Sequence, residues 1–317
     1  MIIDMHVHLI GTREDNGCLV SPRLASGFVY YMLSRVLGMH RADPERLDDA
    51  FRDKLVEWVE DSDLDGIGVL AFDAVYDESG QFDFERTHFY VSNDYCLDFC
   101  ERSSKLLPIC SVNPQRHDAI EELERVVSKG SVAIKLLPNT QGIDLLNPAY
   151  DEFWKRMAAL GIPLLSHTSF EHTLPVIDQK FGKPERLRAP LGHGVKVIAA
   201  HCAGSGVAHP FREDFGTWLK MLEDYPTLYG DVSAMASLAR FPYIHKVLKH
   251  ELARERILLG SDFPIPVSPV IFTPQLGLRR VRELSKIANP LQRNLEVFRA
   301  LGCDETMLRR STQVLKL

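Results

Sequence analysis

Two histidines near the start of the chain have the spacing of a metal-binding pair. His6 and His8 lie in the segment Ile2–Leu9, and side chains two apart on a strand share one face. Two such imidazoles can bind one metal ion, although isolated pairs are also found as ordinary histidines at a strand end. Alternation predicts Ile2 and Asp4 on the histidine face, and an apolar opposite face packed under helices, formed by Ile3, Met5, Val7 and Leu9.

Four further polar residues interrupt or end apolar segments later in the chain. They stand in Ile-Lys-Leu-Leu-Pro, Leu-Leu-Ser-His-Thr, Ile-Ala-Ala-His-Cys and Leu-Gly-Ser-Asp-Phe-Pro, and they are Lys135, His167, His201 and Asp262. An unsatisfied buried polar group costs about 1–3 kcal/mol, so these groups must satisfy one another. A divalent ion is a suitable common partner for three neutral imidazoles and a carboxylate, with one position left open for water. The pattern predicts a metal site.

Eight short apolar segments alternate with helical patterns along the chain. Strands are predicted near residues 1–9, 66–72, 106–112, 132–137, 163–168, 195–200, 228–232 and 257–259. Nearly continuous apolar strands separated by helices indicate a parallel sheet covered by helices. Eight such units predict an α/β fold, a closed (β/α)8 TIM barrel, with an open doubly wound sheet as the lesser alternative. In such a barrel the active site lies at the carboxyl ends of the strands, where all six polar residues fall.

The remaining segments predict a single domain over residues 1–317. Residues 10–43 form a long connection that we expect to be a cap insertion over the strand ends, with Phe28, Tyr30 and Tyr31 either lining the pocket or packing on the rim. Residues 265–317 are expected to form a helical tail in which Asn289 and Asp304 cap helices. No linker composition or internal repeat marks a second domain.

Composition narrows the possible partners. The chain is 45% hydrophobic and 25% charged, which is ordinary for a soluble globular protein. Its net charge is 37 − 43 = −6, and the lack of a basic run argues against nucleic-acid or membrane partners. The start lacks the features of a signal peptide, and six cysteines without CxxC pairs indicate a reduced, cytoplasmic protein. The expected partner is a small-molecule substrate.

These motifs together resemble the amidohydrolase superfamily, and more narrowly the amidohydrolase-related family that includes aminocarboxymuconate-semialdehyde decarboxylase. The resemblance implies that His6, His8, His167 and Asp262 hold a divalent ion, usually zinc. It implies that His201 is either a ligand or a metal-adjacent acid/base or electrostatic group. Members are often dimeric or larger, so a homo-oligomer is an open expectation.

Roles follow for the candidate site residues. A bound ion would lower the pKa of a water toward about 7. Asp262 would take a proton from that water and return it to the leaving group, while His201 would stabilise charge on a carbonyl oxygen or activate the water. Lys135 is expected to contact substrate or an oxyanion. The alternatives are a solvent-facing or ion-paired lysine, or a carboxylated lysine that bridges a second ion.

Several residues outside the predicted ligand set are expected to support the site or bind substrate. Arg240 has the bidentate fork that binds a substrate carboxylate, but an exposed salt bridge fits equally well. Asp4 is expected to orient histidines or anchor the barrel floor, Asp231 to support the site from behind, and Glu171 with His172 to line the mouth. Zinc is the expected ion, one per chain, although manganese, iron or cobalt would accept the same ligands.

The predicted function is a metal-dependent hydrolase of a small, carboxylate-bearing substrate with an amide, lactone or ester-like bond. The alternative on the same site is a non-oxidative decarboxylase, in which the ion and His201 assist protonation of the carbon that loses carbon dioxide. A third hypothesis is a barrel that binds metal or ligand without catalysis.

Overall fold

Eight parallel strands form the centre of the molecule. The computed structural model describes residues 1–25, 44–171, 173–207 and 213–317. The eight strands form one sheet in chain order: β1 (Ile3–His8), β3 (Gly66–Leu70), β5 (Leu106–Cys110), β6 (Ala133–Leu136), β7 (Leu164–Ser166), β8 (Val197–Ala199), β9 (Leu228–Asp231) and β10 (Ile257–Leu258). A separate antiparallel pair is formed by β2 (Cys18–Val20) and β4 (Phe89–Val91).

The sheet closes on itself between its last and first strands. The backbone N–H of Met5 donates to the carbonyl of Leu259 at 3.0 Å, and that of His8 donates to the carbonyl of Phe263 at 2.8 Å. The N–H of Asp262 donates to the carbonyl of His6 at 2.9 Å. The predicted (β/α)8 TIM barrel is therefore confirmed, and the open doubly wound sheet is excluded.

Helices occupy the connections and the end of the chain. They are α1 (Pro22–Ala25), α2 (Pro44–Glu60), α3 (Asn93–Cys100), α4 (Ala119–Ser128), α5 (Pro138–Gln141), α6 (Asp151–Leu160), α7 (Arg188–Gly192), α8 (Asp214–Asp224), α9 (Pro242–Lys249), α10 (Glu251–Arg254), α11 (Thr273–Ser285), α12 (Pro290–Leu301), α13 (Glu305–Arg309) and α14 (Ser311–Val314). Among the described residues, no helix is long and apolar enough to cross a membrane.

The predicted helix caps of the tail are present. The Asn289 side chain accepts the N–H groups of Leu291 and Gln292 before α12, and the Asp304 side chain accepts that of Met307 before α13. Each cap satisfies donors that a helix start leaves unpaired. The tail also seals the barrel floor, since Val314 and Leu315 pack with the interior side chains.

Apolar side chains pack on both sides of the strands, inside the barrel and between the strands and the helices. The first strand does not follow the predicted alternation between these two sides. Ile3 and Met5 belong to the barrel interior, whereas Val7 and Leu9 belong to the layer between strands and helices. The prediction that all four lie under the helices is wrong for the first two. The register of β1 against β3 shifts between Asp4 and Val7, and a bulge of one residue exchanges the two faces of a strand.

The carboxylate of Asp4 stabilises this irregularity. Its Oδ1 accepts the N–H of His6 at 3.2 Å and the N–H of Ser261 at 2.9 Å. Asp4 thereby ties β1 to the segment that follows β10, and both segments carry candidate ligands. The expectation that Asp4 supports the histidines rather than reacting agrees with these contacts.

The first part of the predicted cap insertion packs against segments that follow it in the chain. Its β2 pairs with β4, and the buried carboxylate of Asp48 accepts the N–H and hydroxyl of Thr12. Residues 26–43, with the proposed pocket residues Phe28, Tyr30 and Tyr31, lie outside the described residues. All six cysteines are buried free thiols, as expected from their spacing.

Candidate active site

Three of the predicted ligands converge at the carboxyl ends of β1 and β10. The Nε2 atoms of His6 and His8 each lie 3.2 Å from the same oxygen, Oδ1 of Asp262. The ligand atoms of the three residues all lie within 4.8 Å of one another. Residues more than 250 positions apart meet here because closure of the barrel places its first and last strands side by side.

Asp231 at the end of β9 orients His6 from behind. Its Oδ2 lies 2.7 Å from Nδ1 of His6, which places the imidazole proton on Nδ1 and leaves the lone pair of Nε2 directed toward Asp262. Burial, followed by the charge of Lys135, lowers the pKa of His6. Burial alone would raise the pKa of Asp231, but the contacts with His6 outweigh it and the pKa is lowered. His6 is therefore a neutral imidazole whose Nε2 lies beside the carboxylate of Asp262.

His201 lies on a strained turn directly after β8. The φ angles of His201, Cys202 and Ala203 are 58°, 49° and 55°, a region that costs non-glycine residues about 1–3 kcal/mol each. The turn is held by Asp231, whose Oδ1 accepts the backbone N–H of His201 at 2.8 Å, and by Ser233, whose Oγ lies 2.8 Å from the ring Nδ1. Burial and then Arg240 lower the pKa of His201 to about 3, so the ring is neutral.

His167, at the end of β7, contacts His201 but does not belong to the group of three converging ligands. The ring centroids of His167 and His201 are 5.1 Å apart, and His167 is outside the group whose ligand atoms lie within 4.8 Å. Its buried Nε2 has no hydrogen-bond partner among the described residues, and Oε2 of Glu171 is 3.6 Å away. Burial, then His201, lowers the pKa of His167 well below its usual value. Its role as the fourth ligand stays a prediction.

Lys135 is buried against the histidines. Its side chain ends 3.1 Å from Nε2 of His6, to which the amine donates, and the residue is 1% exposed. Among the described residues, no carboxylate lies within 4.0 Å of the amine. Burial lowers the pKa of Lys135 to about 8 despite the opposing charges of Asp231 and Asp262. The alternatives of a solvent-facing or directly ion-paired lysine are wrong, because the fourth barrel strand turns this side chain inward.

Arg240, in the loop after β9, is also buried rather than exposed. Its guanidinium donates to the carbonyls of Gly204 and Phe170, the latter at 3.1 Å, and so joins the loops after β7, β8 and β9. Burial lowers the pKa of Arg240, while the charges of Asp262 and Glu171 oppose that shift. The alternative of an exposed salt bridge is wrong, since in the described part of the chain no carboxylate lies within 4.0 Å of this cation.

Asp262 occupies a backbone conformation that few aspartates adopt. Its φ is 63°, and its side chain is 13% exposed where it meets the two histidines. Burial would raise the pKa of Asp262, but His201, His6 and His8 together lower it well below its usual value. The carboxylate is therefore ionised at neutral pH and able to accept a proton or a cation.

The donor set fits a divalent ion. The Nε2 atoms of two imidazoles lie beside an ionised carboxylate oxygen, and the partner of His6 fixes its tautomer as metal-ligating histidines require. The unpartnered Nε2 of His167 is a further donor at the same end of the barrel. His6, His8 and Asp262 would hold the ion.

A family model described as amidohydrolase matches residues 3–285 of the chain. The chain belongs to the amidohydrolase family. Its members are generally enzymes, hydrolases or decarboxylases, that usually bind a divalent metal. No curated protein matches the sequence significantly.

Solved structures share the fold at low sequence identity. An uncharacterized TIM-barrel protein from Bordetella bronchiseptica superposes with a TM-score of 0.65 at 14% identity, covering 98% of this chain and 96% of its own. A probable 2-pyrone-4,6-dicarboxylic acid hydrolase from Acinetobacter baumannii, with citric acid bound, gives 0.57 at 15%, covering 99% of both chains. The 5-carboxyvanillate decarboxylase from Sphingomonas paucimobilis gives 0.56 at 14%, covering 97% and 95%.

Sequence reasoning missed Ser233 and the contact between Asp4 and Ser261. Ser233 follows the aspartate of β9 by two residues and shares its side of the backbone, which is the signal that could have found it. The contact of Asp4 with Ser261 had no such signal, because it depends on how the first strand pairs with the last. His172 and residues 208–212 lie outside the described residues, and His193 pairs with Asp151 away from the site.

Proposed function

We propose that the protein is a metal-dependent hydrolase of a small, carboxylate-bearing molecule with an amide, lactone or ester-like bond. The observation that carries the proposal is the convergence of the Nε2 atoms of His6 and His8 on one oxygen of Asp262. His167 is proposed as the fourth ligand. Zinc is the proposed ion, because nitrogen and carboxylate donors around an open position suit it.

A divalent ion held there supplies Lewis acidity, which makes water a stronger nucleophile and polarises a carbonyl. Asp262 accepts the proton of the attacking water, since its carboxylate is ionised, and returns that proton to the leaving group. His201 is neutral, and its Nδ1 faces the carbonyl and hydroxyl oxygens of Ser233, which places the ring proton on Nδ1. Nε2 of His201 therefore keeps a lone pair that can accept a hydrogen bond from the attacking water and help to activate it.

Two buried cations are proposed to bind the substrate carboxylate. Arg240 donates only to backbone carbonyls among the described residues, and Lys135 donates to a neutral imidazole. A buried cation without an anionic partner costs free energy, so a bound carboxylate at these groups is favoured. This arrangement supports a substrate with a carboxylate next to the bond that is cleaved.

A non-oxidative decarboxylase is the second candidate. The likeness of fold to 5-carboxyvanillate decarboxylase supports it, as the likeness to the 2-pyrone-4,6-dicarboxylic acid hydrolase supports the first. On this site His201 would assist protonation of the carbon that loses carbon dioxide. The ligand geometry is compatible with both reactions.

The test is a panel of lactones, amides and aromatic acids assayed with the zinc-loaded protein. Ring opening or amide cleavage is measured by NMR, and carbon dioxide release is measured in parallel. We expect cleavage without carbon dioxide, lost on chelation and restored by zinc. Release of carbon dioxide would instead establish the decarboxylase. Failure across the whole panel with metal bound would favour a barrel that binds metal or ligand without catalysis.

A further inference from the structure

Glu171, in the loop after β7, forms hydrogen bonds through both its backbone and its side chain. The side-chain amide of Gln179 accepts the backbone N–H of Glu171 at 3.2 Å and donates to its carbonyl at 2.7 Å. Asn139, at the start of α5, donates to the same Gln179 oxygen at 3.2 Å. The backbone of Glu171 is therefore fixed by Gln179 of its own loop, and Asn139 of the preceding loop holds Gln179 in place.

One oxygen of the Glu171 carboxylate is anchored and the other is open. Oε1 accepts the backbone N–H groups of Thr173 and Leu174, the latter at 3.0 Å. Oε2 accepts no hydrogen bond from the described residues and lies 3.6 Å from Nε2 of His167. The side chain is only 10% exposed. An oxygen that accepts no hydrogen bond from the described residues thus lies beside a candidate metal ligand, His167.

Glu171 interacts electrostatically with Lys135 and Arg240, the two cations proposed to bind the substrate carboxylate. Burial lowers the pKa values of Lys135 and Arg240, and the negative charge of Glu171 opposes both shifts. Arg240 also donates to the carbonyl of Phe170, the residue immediately before Glu171. Glu171 nevertheless forms no ion pair within 4.0 Å of either cation, so both remain available to a ligand.

We propose that Glu171 is a specificity-determining residue that selects substrates with a single negative charge and a hydrogen-bond donor facing its Oε2. The inference rests on the proposed function, in which Arg240 and Lys135 bind the substrate carboxylate. A second carboxylate beside Oε2 would meet a fixed like charge in a partly desolvated wall, which is unfavourable. An amide or hydroxyl in the same place would donate to the open oxygen.

Three four-carbon probes isolate this effect: butyrate, succinate and succinamate. Succinate and its monoamide have nearly the same shape, but succinate carries a second negative charge where succinamate carries a donor. Dissociation constants are measured by ligand-observed NMR on the metal-loaded protein at pH 7.5. A neighbouring unit charge changes affinity by about tenfold, so we expect the wild type to bind succinamate about tenfold more tightly than succinate.

The Glu171→Gln variant keeps the oxygen that accepts the Thr173 and Leu174 amides, so it is expected to fold. In this variant, the ratio of the dissociation constant for succinate to that for succinamate should fall from about ten to near one. The matched control, Glu152→Gln, removes an exposed glutamate charge from α6, whose side chain is 74% exposed, and should keep the wild-type preference. Thermal unfolding of both variants verifies that they are folded.

Two different failures are distinguishable. If all three probes bind the wild type but Glu171→Gln leaves the preference unchanged, or if the wild type prefers succinate, the role of Glu171 is overturned alone. If no probe binds, or if Arg240→Gln leaves butyrate binding unchanged, the proposed carboxylate site fails and the inference fails with it.

Discussion

Asp231 is expected to control metal affinity through the tautomer of His6. The variant Asp231→Asn is nearly isosteric, and its Oδ1 can still accept the backbone N–H groups of His201 at 2.8 Å and Ser233 at 3.1 Å. The change is confined to Oδ2, the oxygen 2.7 Å from Nδ1 of His6, which becomes an amide donor. Both groups are fully buried, so water cannot replace the lost acceptor.

The size of the effect follows from the proton that must move. With an amide N–H facing it, Nδ1 of His6 has to accept, and the imidazole proton transfers to Nε2. That nitrogen faces Asp262, and in its protonated form it cannot bind a cation. Loss of such an orienting partner costs metal affinity about 10- to 100-fold, or about 1.4–2.7 kcal/mol.

The assay is the dissociation constant for zinc, measured by competition with a chelating dye. A matched control is Glu122→Gln, which alters a buried carboxylate of the outer helix α4 that pairs with Arg125. The control is expected to lose stability in urea unfolding while keeping zinc affinity. Asp231→Asn binding zinc within about twofold of the wild type would refute the tautomer argument.

Three further predictions concern the site and its surroundings. Asp262→Asn should melt near the wild-type temperature but lose at least about 100-fold in turnover, because the variant lacks an ionised proton acceptor; turnover near the wild-type level would remove that role. Metal analysis of the purified protein should give one equivalent per chain, whereas two equivalents would indicate that Lys135 is carboxylated and bridges two ions. Burial raises the pKa of Asp73, so this residue binds its proton more tightly in the folded protein than in the unfolded chain. Stability from Asp73 is therefore present at low pH and lost as pH rises from about 3.8 through its folded pKa. The difference in unfolding free energy between wild type and Asp73→Asn, measured in urea across that range, should shift against the wild type as pH rises, and a flat difference would contradict the assignment.

The sequence alone determined the eight strands, their order and the end of the barrel that carries the chemistry. Apolar segments of strand length, and the polar residues that interrupt or end several of them, are local features that can be recognised without knowledge of the fold. The placement of His6 and His8 with Asp262 followed from barrel closure, which brings the first and last strands together. The caps at Asn289 and Asp304 were predictable for the same local reason.

Only the tertiary structure decided how these strands align and what lies between them. The bulge in β1 moves Ile3 and Met5 to the interior, and its origin is the pairing with β3 and with the segment after β10, which no local pattern records. The contact of Lys135 with His6, and those of Arg240 with Gly204 and Phe170, likewise join residues that are distant in sequence. Short-range patterns in the sequence predict which residues form a strand. The distance between two side chains depends instead on the register of strands that pair across the barrel.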